Sequence, residues 1–173
     1  GYTVWVLEGA GQGGSERAAT PRDLGHVTDF EGDIQGLATL IKTVVRPKPD
    51  RPVQVIAAGT AALTALAASE RGVVIKRLIL SAPKELSTGQ GGASAAAARL
   101  GLRALRARGE KGWSRPDPAT PFTRRQTIAL GWAVANPDLR MGGPSTGWVI
   151  ARRELRAVVL KPDARAAIKA PTV

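Results

Sequence analysis

Few side chains in this 173-residue chain can do covalent chemistry, because it has no Cys and a single His. Zero cysteine excludes thiol nucleophiles, thiolate zinc and a disulfide framework. One imidazole excludes a metal site built from several histidines. Serine-type machinery would have to use His26 as its base or do without one. His26 sits in Gly25-His26-Val27, a loop setting in which an imidazole is ordinarily structural and donates to a backbone carbonyl. The other pattern with chemical meaning is Ile56-Ala57-Ala58-Gly59-Thr60-Ala61-Ala62. A nucleophile presented on a sharp strand-to-helix turn needs such small residues, since strand and helix come too close for larger Cβ groups. An ordinary turn in an Ala-rich chain reads the same way, so both meanings stand.

The run Gly9-Ala10-Gly11-Gln12-Gly13-Gly14 superficially suggests a dinucleotide fingerprint. That mechanism needs a helix to start at the loop, so that its N-terminus faces the pyrophosphate. Here the loop runs on through Ser15, Thr20 and Pro21, and no acidic residue closes a following strand. No cofactor is expected.

The elements that must position these residues follow from periodicity. Residues 2–7 form a short β-branched and aromatic run, the profile of a buried strand. Phe30, Ile34, Leu37, Leu40, Ile41, Val44 and Val45 recur at helical spacing after Asp29 and stop before Pro47 and Pro49. Residues 53–57 read as a second strand, 61–69 as a helix and 73–80 as a third strand entered at Gly72. This alternation with short connections predicts an α/β chain with a parallel, wound sheet. Residues 84–94 read as loop, and residues 95–108 as a basic helix projecting Arg99, Arg103 and Arg106 at i, i+4 and i+7. After Pro116, Pro118 and Pro121, helices are expected over 123–135 and around 148–159. The expected division is 1–83 as core, 84–165 as a mostly helical insertion, and 166–173 as the lead-in to a further core strand.

Composition bounds the partners. With 43% hydrophobic and 23% charged residues the chain is not disordered, and with 4% aromatics its core rests on Val, Leu, Ile and Ala. The formal net charge is +11. Residues 1–96 carry 10 Lys/Arg against 9 Asp/Glu, whereas residues 97–173 carry 15 against 5, with 12 Arg among them. Arg forks suit phosphate, which makes anionic membrane and nucleic acid the candidate partners; a solvated face in an Arg-rich chain accounts for the same charge. Nucleic acid is the weaker of the two, because no zinc pattern, RNP-type aromatic string or helix-turn-helix is present. The run 53–68 is too short and too rich in Ala, Gly and Thr to span a bilayer. The expected location is cytoplasmic, at most peripheral to an inner membrane.

Several strings together resemble the bacterial lysophospholipase and monoacylglycerol lipase branch of the α/β-hydrolases. They are Gly11-Gln12-Gly13 with Ser15, Gly25-His26-Val27 with Asp29-Phe30, and Leu78-Ile79-Leu80-Ser81-Ala82-Pro83. Asn136-Pro137-Asp138-Leu139, followed by Gly142-Gly143-Pro144 and Gly147-Trp148, resembles the lid of lysophospholipase-L2-like proteins. The strings stand in the family's order and span nearly the whole chain. The resemblance implies a partial α/β-hydrolase fold with a lid insertion, and hydrolysis of glycerolipid-like esters as the family chemistry.

That chemistry carries over poorly. The family elbow, Gly-His-Ser-Met-Gly-Gly, falls on Ala57, Ala58, Gly59, Thr60, Ala61 and Ala62, which puts Gly59 in the nucleophile's place. A register shifted by one would make Thr60 the nucleophile, at the expense of the helix match. The family's Asp-x-Arg-Gly-x-Gly loop appears as Glu8-Gly9-Ala10-Gly11-Gln12-Gly13, without its Arg. His26 matches a non-catalytic family string. The family's acid and base would fall beyond Val173, and part of its oxyanion hole before Gly1. The expectation is therefore a catalytically inactive relative. The alternative is a non-catalytic module whose basic lid docks on anionic membrane or a protein partner, with Arg99, Arg103 and Arg106 as the contact.

Overall fold

The computed structural model describes residues 1–81, 99–117, 121 and 123–172. It is mixed α/β, with a two-stranded parallel sheet and helices. The chain divides into two compact units: residues 1–7, 29–91 and 150–173 in one, residues 8–28 and 92–149 in the other. Residues 8–28, expected within the core, thus belong with 92–149, and residues 150–165, expected in the insertion, belong with the core.

In the first unit, helix α1 (Glu31–Thr39) starts where the Asp29 carboxylate accepts the Glu31 N–H at 2.9 Å, and Glu31 and Asp33 in its first turn favour the helix dipole. The β-branched run that follows widens into a π-helical stretch, Leu40–Val45, closed by Arg46 in the left-handed conformation (φ 49°). Strand β1 (Gln54–Ala58) turns at Gly59 into α2 (Ala61–Glu70). Residues 62–69 of α2 are all buried, because the small Ala, Ser and Thr side chains among them let the helix lie close on β1, β2 and α1. Gly72 (φ 86°) ends it, with the N–H groups of Gly72 and Val73 donating to Ser69 and Ala68 carbonyls. Strand β2 (Arg77–Ser81) pairs with β1 in parallel, Val55 beside Leu78 and Ala57 beside Leu80. On its other edge the Leu78 N–H donates to Pro171 O, and Thr172 bridges Leu78 in parallel. The core gathers Ile34, Leu37, Ile41, Leu63, Leu66, Leu78 and Val159.

Two of the strand expectations need correction. Residues 2–7 are not a strand: they pair with no segment among the described residues, and Tyr2 is 96% exposed. A β-branched run has strand propensity, but without a ladder partner that propensity has nothing to act on. The strand expected at 73–80 is confined to 77–81, because the helix-ending turn holds Val73 and the chain bends before Arg77.

The second unit has helix α3 (Arg124–Ala135), a 3₁₀ turn at Pro137–Leu139 and the start of α4 (Thr146–Val159), whose later residues enter the first unit before α5 (Pro162–Ala167). Thr123 and Gln126 close α3 with a capping box: the hydroxyl accepts the Gln126 N–H and the amide oxygen accepts the Thr123 N–H. Among the described residues no helix is long and apolar enough to cross a membrane.

The basic helix expected over 95–108 is not formed across 101–108, which are turns and irregular backbone; residues 95–98 lie outside the described residues. Gly101 (φ 77°) breaks the helical path. The chain is then drawn into a lacing of three segments, where Gly142, Ser145, Ala107, Thr146 and Gly147 N–H groups donate to Asp23, Gly25, Pro144, Leu105 and Arg103 carbonyls at 2.7–2.9 Å. The bonds of the Ala107 N–H and of the Leu105 and Arg103 carbonyls compete with intrahelical ones.

Candidate functional site

The turn between β1 and α2 is the first candidate. Gly59 has φ 58°, and its N–H donates to Ser81 O at 3.1 Å. Thr60 lies in the ordinary right-handed region (φ −65°, ψ −28°) and its C=O accepts from Leu63 and Thr64 N–H groups. A non-Gly residue at such a positive φ is strained, which is how a nucleophile is held on a strand-to-helix turn. Gly59 occupies the strained position, and it carries no side chain. Thr60 begins the helix instead.

His26 and Ser145 form the second candidate, which the sequence reasoning missed. His26 Nδ1 lies 2.8 Å from Ser145 Oγ, so its partner is a hydroxyl and not the expected carbonyl. Burial holds the His26 pKa below the ordinary histidine value. In its neutral form the ring can accept the Ser145 proton at Nδ1, the polarity of a nucleophile–base pair. Three facts make this pair architectural. Ser145 is fully buried (0% exposed), its Oγ accepts the Trp148 N–H at 3.1 Å as the first-turn cap of α4, and its N–H donates to Gly25 O. Gly147 lets the imidazole in, since a Cβ there would stand 3.0 Å from His26 Cε1 and 3.2 Å from Val27 O. The signal available in the sequence was Ser145 ahead of Thr146-Gly147, an N-cap type before a helical run.

The protonated imidazole is disfavoured in the fold, so the unfolded chain takes up the proton more readily. Stability should fall as pH drops through the ordinary histidine range, then level off below the lowered folded-state value. Ser145→Ala removes both the cap and the imidazole's partner, at an expected cost of about 1–2 kcal/mol. Urea unfolding between pH 8 and pH 5 measures both effects, and His26→Gln should remove the pH slope.

The Arg stripe is reorganised. Arg99 and Arg103 are exposed, but the Arg106 side chain is only 19% exposed and turned inward. Its Nη2 donates to Asp23 Oδ1 and Oδ2 at 3.0 and 3.1 Å, and its Nη1 to Gly143 O at 2.6 Å. The same carboxylate accepts the Trp113 N–H. The ring of Trp113 stacks under Arg140 (4.6 Å to the centroid), whose guanidinium also takes the Ala133 and Val134 carbonyls at the end of α3. Arg106 is therefore a clamp within its unit and not part of an outward basic face.

The Gly-rich loop is tied down by its own chain. Gly14 N–H donates to Glu8 Oε2 at 2.8 Å, Gly11 N–H to Glu16 O at 3.1 Å, and Arg17 Nη2 donates to both Gly13 O and Asp138 O. No helix begins before residue 31. No group of three or more His, Cys, Asp or Glu is arranged to hold a metal ion among the described residues. Comparison with protein-family models, with curated proteins and with solved structures finds no match to this chain.

Proposed function

We propose that this chain is a non-catalytic relative of the bacterial lysophospholipases and monoacylglycerol lipases, built on part of an α/β-hydrolase fold. The observation that carries the reading is Gly59 in the left-handed position of the β1–α2 turn, with Thr60 in right-handed backbone. This favours the register with no nucleophile side chain, since a β-branched Thr is ill suited to the strained position. His26, the sole imidazole, has its Nδ1 on a buried helix cap. The ligand class that the resemblance suggests is a lipid-like ester, bound without turnover. Installing a hydroxyl tests the point: Gly59→Ser should gain no hydrolysis of p-nitrophenyl butyrate. It should also lose about 1 kcal/mol of stability from the positive φ. Activity restored by that one change would show that acid and base are in place and overturn the reading.

A second observation favours a docking role on anionic membrane. Helix α3 has no buried residue; Ile128 and Trp132, one turn apart, are 54% and 65% exposed, and Arg124 and Arg125 are exposed one turn earlier. An apolar stripe with an aromatic and flanking Arg suits the headgroup boundary. Co-sedimentation with phosphatidylglycerol vesicles, but not with phosphatidylcholine alone, is expected, and Ile128→Ser with Trp132→Ser should abolish it.

A further inference from the structure

A parallel sheet ordinarily has helices on both faces, because its crossover connections lie there. The sheet of the first unit has α2 against one face, the face of Ala57 and Leu78. On the other, Gln54, Ile56 and Ala58 are exposed, Ile56 at 72%. Strand β1 also has an open edge. Gly59 N–H donates to Ser81 O across the pair, and backbone groups alternate in direction along a strand. The N–H and C=O groups of Ile56 and Ala58 therefore turn away from β2, where they meet no partner among the described residues. Edges of this kind template the addition of another strand.

The same unit carries a complementary deficit. Residues 2–7 have the composition of a strand, yet make no backbone hydrogen bond among the described residues. Their exposure alternates: Tyr2, Val4 and Val6 at 96%, 79% and 83%, against Trp5 and Leu7 at 51% and 48%. A period of two is the mark of extended backbone with one side half covered. Donor segment and acceptor edge lie in the same unit, and among the described residues neither has a backbone partner.

We propose that the two deficits are satisfied between copies. Residues 2–7 of one chain add as a strand along the outer edge of β1 in a second chain, and the exchange is reciprocal, giving a two-fold dimer. The side chains of Val4 and Val6 then meet the open apolar face around Ile56.

The test uses the 173-residue chain without truncation. Sedimentation velocity from about 1 to about 100 μM should show a monomer passing to a dimer. Amide exchange at residues 2–7 and 54–58 should slow by about tenfold or more in the dimer. A Val4→Lys, Val6→Lys double variant should stay monomeric with unchanged circular dichroism, because both side chains are exposed in the single chain. A monomer at the highest concentration would overturn the proposal, whether or not residues 2–7 are protected in it. So would a dimer lacking protection in those two segments, or one that persists in the double variant.

Discussion

Arg106→Ala is expected to destabilise the second unit by about 3 kcal/mol, whereas Arg103→Ala, three residues earlier in the same basic string and exposed, should change stability by less than about 0.5 kcal/mol. Arg106 spans the Asp23 carboxylate with one nitrogen and the Gly143 carbonyl with the other. Removing it leaves the Asp23 carboxylate, 18% exposed at the side chain, held by the Trp113 N–H and without the Arg106 cation. An uncompensated, largely buried carboxylate costs far more than the net worth of the pair. A Lys replacement should recover only part of the loss, because a single ammonium cannot reach carboxylate and carbonyl in a fork. Gly142 belongs to the same arrangement: its Cβ would overlap the Asp23 carboxylate and stand 2.8 Å from Trp113 N, so Gly142→Ala should be destabilising too. Chemical unfolding followed by Trp fluorescence measures each variant.

Leu78→Ala is expected to cost about 3 kcal/mol in the first unit. Leu78 is 0% exposed, sits between β1 on one edge and Thr172 on the other, and faces the core with Leu63 and Val159. Packed from every side, it leaves a cavity that small Ala neighbours on α2 have no reach to fill. Ile56→Ala, in the adjacent strand but on the open face at 72% exposure, should cost less than about 0.5 kcal/mol in the monomer. The contrast between two β-strand aliphatics tests directly that one face of the sheet is covered and the other is not.

The parts of this fold that were legible in the sequence are those set by local pattern. The α1 stripe from Phe30 to Val45, the small-residue turn at Gly59 and the helix over 124–135 carry their signals within a few residues of themselves. The parts that were not legible depend on distant partners. Residues 2–7 have strand chemistry, but strand formation is a property of pairs and no partner meets them among the described residues. Residues 101–108 have helix-like spacing, yet backbone lacing to 144–147 takes the Ala107 N–H and the Leu105 and Arg103 C=O groups. Charge misled for the same reason: Arg106 reads as a member of a basic face, and serves as a clamp on Asp23 and Gly143. The Ser145–His26 pair joins residues 119 positions apart, a separation no periodicity encodes.

The central claim is that the β1–α2 turn presents no nucleophile. Its most direct test is turnover of a short acyl ester and of a monoacylglycerol by the purified 173-residue chain, beside a denatured sample and a Thr60→Ala variant. The rate should match the denatured sample and be the same in both chains, because Gly59 holds the strained position and Thr60 starts a helix. Turnover above that background, abolished by Thr60→Ala, would contradict the account and make Thr60 the nucleophile of a working enzyme.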